Sequence, residues 1–457
     1  MPAGRAAQRK FRLNKTAQDE SSITAHVLTR AEHCISRKNL SSAALRVLYR
    51  LHEAGYAALL VGGAVRDLLL GGHPKDFDVA TDATPEEVRK LFRNCRLIGR
   101  RFRLAHVFFG PEIIEVATFR GHGDGDREIV DGRILRDNVW GSVEEDALRR
   151  DFRVNALYYD IADFSVRDYV GGLEDLRSGA LHLIGDPRCR YREDPVRMLR
   201  AVRFAARLGF HLARPSEAPL RELGGLLDVV APARLFEECL KLFLSGQAEA
   251  SFHLLEHYDL LRHLLPGTVA ALAQDTDGSL RKMIAAALAN TDTRIAEGKP
   301  VTPAFLFAVF LWGDVCERRK QRESVDLPRA VIWDQAVREA LKAQAQHVSI
   351  PRRFSLMMED MWALQARFRQ RSKGRVKRLL AHPRFRAAYD FLLLREWEST
   401  EIAELGVWWT QAQVLDEEAL SKELMVVANS GKSMNPPPNR SRRRRRKAPP
   451  TTLSSSD

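Results

Sequence analysis

The chain has 457 residues, 45% of them hydrophobic and 29% charged, with a net charge of +13, so it can build one large core or two to four smaller ones. No apolar run approaches the roughly 18 residues needed to cross a bilayer, and the basic opening MPAGRAAQRKFRLNK lacks the apolar stretch of a secretory signal. Its five cysteines (Cys34, Cys95, Cys189, Cys239, Cys316) include no CxxC pair, which argues against a disulfide framework or a zinc site and fits a reducing cytoplasm with no membrane partner.

The charge is unevenly placed. Residues 1–39 carry eight Lys/Arg against three Asp/Glu, and residues 440–447 carry seven basic residues and no acid. The remainder is nearly neutral. Two disordered arms are expected, 1–39 and 430–457. A charge run commonly just solvates a tail, but the Arg bias beside NPPPN and APPTTLSSSD favours sequence-independent contact with nucleic-acid phosphates.

In chain order, Ser41 to Gly55 has helical apolar spacing and ends on a glycine. Leu59-Leu60-Val61 reads as a buried strand, Gly62-Gly63 as a sharp turn, AVRDLLL as a helix and Asp76-Phe77-Asp78-Val79 as a second strand. Alternation on a strand puts the Asp76 and Asp78 carboxylates on one face, with Phe77 and Val79 toward the core. Such a pair is stable when solvated or when a cation lies between its members. A lone DxD is a weak signal. A glycine turn just upstream, whose N–H groups could hold phosphate, adds the second half of a magnesium-dependent phosphoryl- or nucleotidyl-transfer site.

Thr84-Pro85-Glu86-Glu87 is a helix start with a capping box. CRLIGRRFRLAHVFF and EIIEVATF read as strands. Glu115, embedded in the second, either faces solvent or joins Asp76 and Asp78 as a third carboxylate. GHGDGDREIVDGRI is expected to be a mobile loop. Next come the run Arg149, Arg150, Asp151, Arg153 and Asn155, and then two strands joined by a turn and a short helix. A helix is expected to open at residues 191–195, with Asp194 as N-cap and Pro195 at its first position. On it Arg200, Arg203 and Arg207 form a basic stripe, whereas Arg197 falls among Ala201, Phe204 and Leu208, where an arginine needs a ligand or a carboxylate. From Ala213 onward the pattern is helical with no strand. Its basic spots 367–378 and 383–395 mix Arg and Lys with aromatics, as base stacking or an ordinary solvated face would.

LVGGAVRD, KDFDVATDATPEEV, RRDFRVNAL and REDPVRMLRAVRFAARLGF, in this order and spacing, resemble the class II branch of the polymerase-β-like nucleotidyltransferases, from about Ile35 to Trp409. That branch holds CCA-adding enzymes and bacterial poly(A) polymerases. LIGRRFRLAHV, NTDTRIAEGKPVTPAFLFA and the Arg-rich C-terminal region resemble the poly(A) side; the loop after Arg120 is short for the family. The resemblance implies an α+β fold: a polymerase-β-like head at 40–192, an extended helical neck at 193–330 and an Arg-rich helical body at 331–429.

It further implies transfer of AMP from ATP to RNA 3′ ends (mRNA, small RNA, tRNA precursors) with release of pyrophosphate, serving polyadenylation and RNA decay. Asp76, Asp78 and Asp151 would be catalytic. Asp76, Asp78 and Glu115 would face two Mg²⁺ ions. Gly62, Gly63, Arg66 and Asp67 would form the triphosphate turn, with Arg153 and Asn155 on ribose or phosphate. Asp194 and Arg197 would read the base edge, and Arg200 and Arg203 would lie nearer phosphate or RNA. The alternatives are a CCA-adding tRNA nucleotidyltransferase and a non-catalytic RNA-binding protein on the same fold.

Overall fold

The computed structural model describes residues 24–99, 103–121, 127–130, 133–137, 139–324, 326–415 and 418–420. The expected tail at 430–457, most of the N-terminal arm, and Arg100 and Arg101 lie outside the described residues. The chain forms two compact units. The first comprises 1–270, 288–301 and 338–350, and the second 271–287, 302–337 and 351–457. The expected breaks at 192/193 and 330/331 differ from this division. Head and neck form one unit because the helices after residue 192 pack on the head, and residues 338–350 return to the first unit, where Ser349 N–H donates to Pro232 O at 3.1 Å.

The first unit is built on strands β1 (His26–Leu28), β2 (Leu59–Val61), β3 (Asp78–Thr81), β4 (Cys95–Ile98), β5 (Leu104–Phe109), β6 (Glu112–Thr118), β7 (Arg127–Val130), β8 (Arg133–Asp137), β9 (Leu157–Asp160) and β10 (Val166–Asp168). Eight of them make one mixed sheet in the order β1-β10-β9-β2-β3-β6-β5-β4. Helices α1 (Ser42–Glu53), α2 (Gly63–Leu69) and α3 (Pro85–Leu91) precede β4. The sheet has two different faces because its strands alternate. Leu60, Val79, Val107 and Val116 point to one side and join Val47 and Leu48 of α1, Val65 and Leu68 of α2 and Val88 of α3 in the main core. Leu59, Val61, Ala80 and Tyr158 point to the other, where a smaller cluster includes Ala147 of α4 (Val143–Arg149). This second face carries the charged residues.

Local capping fixes several entries. Ser41 Oγ accepts from Ala44 N–H at 3.0 Å. The capping box expected at Thr84 is present, with Glu87 Oε2 accepting from Thr84 N–H at 2.7 Å. Ser142 and Glu145 form another at α4. The loop expected at 121–134 instead contains β7 paired antiparallel with β8. Asp131-Gly132, between EIV and RIL, is a two-residue hairpin signal that the surrounding glycines and charges obscured.

Helices α5 (Gly172–Ser178), α6 (Pro187–Glu193) and α7 (Val196–Leu208) follow the sheet. The helix expected to open at 191–195 is two helices meeting at Asp194-Pro195. Asp194 closes α6 with extended backbone, and its Oδ1 accepts from Val196 N–H at 3.4 Å. Asp186-Pro187 supplies the real N-cap, Asp186 Oδ1 accepting from Cys189 N–H at 2.7 Å.

The second unit is helical, with no strand among its described residues. Its core gathers Leu364, Phe368, Tyr389, Leu392, Trp408 and Trp409. Trp362 Nε1 donates to Ala308 O at 3.2 Å, and Trp409 Nε1 to Phe368 O at 2.9 Å. The aromatics of the two basic spots belong to this interior: Phe368, Phe385, Tyr389 and Phe391 are all buried. They hold the core and are not presented for base stacking. No helix among the described residues is long and apolar enough to cross a membrane.

Candidate active site

Strand register assembles an acidic row on the charged face of the sheet. Val61 pairs with Asp78, Asp78 with Glu115 in the parallel β3–β6 ladder, and Glu115 with His106 on β5. Residues paired across strands share a face, so Glu115 sits beside Asp78 and is not turned away from it. Asp76 lies two residues before β3, outside the strand expected for it, and is exposed. Glu115 Oε2 is 3.3 Å from His106 Nε2. The Asp78 carboxyl is pushed up to about 6 by desolvation and then by the Glu115 charge, with a smaller push from Asp76; Arg150 and His106 act the other way. Asp78 itself remains open to solvent, so the repulsion among carboxylates is the part of the rise that matters. Among the described residues no three acidic, imidazole or thiol groups already converge as a metal cage. The row nevertheless has the chemistry of a hard-cation site: carboxylate oxygens that destabilise each other until a cation joins them.

The glycine turn borders this row. Gly62 has φ +75° and ψ −136°, a conformation that side chains resist, and a Cβ there would meet Arg150 Nη1 at 3.6 Å. Arg66 does not reach out from the turn. It is 1% exposed, donating from Nε and Nη2 to Asp67 Oδ1 at 2.8 and 2.6 Å and from Nη1 to Asn155 Oδ1 at 2.6 Å. Arg66, Asp67 and Asn155 are thus struts that set the turn, and Asp67 Oδ2 accepts from Arg207 at 2.8 Å.

Arg150, passed over among its charged neighbours in the sequence, is a cation beside the turn at Gly62. Its Nε donates to Tyr158 Oη at 2.9 Å and Asp146 Oδ2 at 3.0 Å. Burial works against its charge, and Tyr158 and Asp146 more than offset that.

Asp151 is saturated. Oδ1 accepts from Phe152 N–H at 2.8 Å and Asn155 Nδ2 at 3.2 Å, and Oδ2 accepts from Arg200 Nε at 2.8 Å and from Arg200 Nη2. A carboxylate has about four lone-pair sites, and these four bonds use them. Burial would raise this carboxyl; the Arg200 charge and the hydrogen bonds outweigh it and hold it at about 2. Arg153 stands apart, half-exposed, 3.9 Å from Asp175 Oδ1.

The Asp194 and Arg197 side chains do not pair with each other; only the Arg197 backbone N–H donates to Asp194 O, at 3.0 Å. Asp194 Oδ2 accepts from Arg234 at 2.8 Å, while Arg197 Nη1 donates to Arg190 O at 2.8 Å and Glu193 Oε2 at 3.0 Å. The partner that the Arg197 position demanded is therefore Glu193, one turn back. Arg190 Nη2 reaches Arg149 O and Arg150 O at 2.8 and 2.6 Å, tying α6 to the Arg149–Asp151 turn. Arg203 lies one turn beyond Arg200 on α7 and lines a cleft with Arg207. His106, Arg150, Glu193 and Arg234 were the members that sequence reasoning passed over. For Arg150 and Glu193 the adjacency to Asp151 and Asp194 was a usable signal; Arg234 had none.

Family models match three stretches: a poly A polymerase head domain over 58–182, a probable RNA and SrmB-binding site of polymerase A over 209–272, and a polymerase A arginine-rich C-terminus over 326–448. The chain is 51% identical over 411 residues to poly(A) polymerase I of Escherichia coli O6:H1, covering 87% of this chain and 88% of the relative. A CCA-adding enzyme of Bacillus pumilus is 37% identical over 234 residues, covering 51% of this chain and 57% of the relative. The solved structure of the Bacillus stearothermophilus CCA-adding enzyme in complex with CTP shares the fold, with a TM-score of 0.57 and 23% identity, covering 85% of this chain and 92% of that one.

Sheet, helices and matches together define a nucleotidyltransferase with a polymerase head followed by a helical body. Within that class the chain belongs to the poly(A) polymerase I family, and CCA-adding enzymes are more distant relatives.

Proposed function

We propose that the chain transfers AMP from ATP to the 3′-hydroxyl of RNA without a template strand. The hydroxyl oxygen bonds to the α-phosphorus, the bond from that phosphorus to the bridging oxygen of the β-phosphate breaks, pyrophosphate leaves and the hydroxyl proton passes to solvent. The observation that carries this reading is the register pairing of Asp78 with Glu115 beside the Gly62-Gly63 turn. Asp76, Asp78 and Glu115 would hold Mg²⁺, which when bound acidifies the attacking hydroxyl and neutralises the leaving pyrophosphate.

The chain's own residues do the positioning. Gly62 and Gly63 let a triphosphate approach the backbone, and Arg150 is a cation beside that turn. Arg66, Asp67 and Asn155 hold the turn from within. Asp151 acts through Arg200 and is a positioning residue, joining the Arg149–Asp151 turn to α7. Asp194, held by Arg234, and Arg197, held by Glu193, present an acceptor and a donor to a nucleobase edge, matching the exocyclic amino group and adjacent ring nitrogen of adenine. Arg153 is assigned to ribose. Substrates would be RNA 3′ ends of mRNA, small RNA and tRNA precursors in the cytoplasm, with the basic arms adding backbone contact.

An extension assay tests this. Purified protein, Mg²⁺ and an RNA of arbitrary 3′ sequence are supplied with ATP or CTP separately. Long tails with ATP alone are expected. With both nucleotides and a tRNA lacking its 3′ end, addition that stops after CCA would instead assign the CCA-adding reaction, and Asp76→Ala with undiminished AMP incorporation would remove the carboxylates from the chemistry.

A further inference from the structure

Three arginines run along one side of α7, and two of them are matched by acids: Arg200 by Asp151 and Arg207 by Asp67. Arg203 is not. Among the described residues it has no ion pair or hydrogen bond, its Nε is buried without an acceptor, and its guanidinium rests on the Phe204 ring at 4.9 Å. Leaving such a group unsatisfied costs free energy; Glu238 and Asp151 act on it through space without bonding it, and Arg200 and Arg207 repel it.

Arg203 also has room for one. It lines a cleft of about 390 Å³ between α7 and the helix Pro232–Phe243, with Arg207 and Lys241 as further cations. Phe204, Leu240 and Leu244 give it an apolar floor, and Glu237 and Ser245 stand exposed at its edge. Lys241 is steadied by Glu238 Oε1 at 2.9 Å. Cations above an apolar floor, in a volume at the lower end of ligand-sized sites, suit a phosphate ester carrying a sugar.

We propose that this cleft binds a phosphodiester of the RNA strand upstream of the 3′ end being extended, with Arg203 and Lys241 on the phosphate oxygens and Phe204, Leu240 and Leu244 against the sugar. The inference rests on the polymerase reading for its choice of RNA. The incoming nucleotide already has a phosphate turn at Gly62-Gly63, so a second cationic cleft serves the other substrate. Its far wall, Glu237 to Ser245, also falls inside the 209–272 segment that matches the RNA-binding family model. Arg203 thereby passes from the nucleotide to the RNA.

Anisotropy of a labelled oligoadenylate on the full chain, without ATP and with the metal chelated, tests the assignment. Two exposed edge positions give opposite signs. Glu237→Gln is expected to tighten binding about threefold and Ser245→Glu to weaken it about fivefold, the sizes expected of one partly screened charge. Lys241→Gln is expected to lower the slope of log K against log salt by about 0.7, one single-strand phosphate. Glu53→Gln on α1 controls for net charge. Glu237→Gln binding no tighter than Glu53→Gln overturns the proposal. So does a change confined to ATP affinity, measured without RNA, which would make the cleft a nucleotide site. Failure of the polymerase reading is separate, since it would appear as wild-type protein that does not extend RNA with ATP alone.

Discussion

Asp151→Asn separates a carboxylate that holds structure from one that holds metal. The Asp151 side chain is 12% exposed, and its carboxyl is lowered from 3.8 to about 2 by Arg200 and its hydrogen bonds against the opposing effect of burial. At about 1.4 kcal/mol per pKa unit, that depression is worth about 2 kcal/mol of stability. The sign follows from linkage. A lowered folded pKa contributes fully above the unfolded value of 3.8 and is lost as pH falls toward 2. Asparagine keeps the shape but removes the charge, leaving Arg200, about one-third exposed, to water and the weaker pull of Glu238 and Asp194.

Urea unfolding at pH 7 should therefore place Asp151→Asn about 2–3 kcal/mol below wild type. A cycle with Arg200→Met should return about 2 kcal/mol of coupling. The deficit should be flat from pH 7 to about pH 4 and contract only below it. Apparent affinity for Mg²⁺ should stay near wild type even though kcat falls, because Arg200 loses its anchor. A deficit already shrinking at pH 6, or a tenfold rise in the Mg²⁺ requirement, would refute the reasoning and put Asp151 among the metal ligands.

Asp78→Asn should abolish extension yet raise the melting temperature of metal-free protein. Removing one of the mutually repelling carboxylates is worth up to about 1 kcal/mol once solvent screening is allowed for, and added Mg²⁺ should stabilise wild type but not this variant; a lower metal-free melting point would contradict it. Gly62→Ala forces a side chain into a left-handed turn and should cost about 1–3 kcal/mol, with KM for ATP rising in steady-state assays. Arg197→Ala should blur the preference for ATP over CTP more than it slows AMP transfer at saturating ATP, and an unchanged preference would end the base-reading role.

The parts of this site that periodicity governs were legible in the sequence. Strand alternation put Asp78 on the charged face, and the Thr84 capping box and the Pro85 start appear where local chemistry requires them. Glu115 stood undecided because parity relates residues within one strand only. Its facing Asp78 depends on the parallel register of β6 against β3, which no local pattern encodes. Arginine partners were the least legible feature. Helical spacing located the stripe of α7 and marked Arg197 as misplaced, but a long guanidinium side chain reaches acids many residues away in sequence. Arg200 finds Asp151, Arg207 finds Asp67 and Asp194 is claimed by Arg234. Once those pairs are drawn, Arg203 becomes informative by contrast: the same residue type on the same helix side, with Nε buried and no acid bonded to it among the described residues. Sequence could show that α7 is basic. Only the pairing shows which of its cations is left for a substrate phosphate.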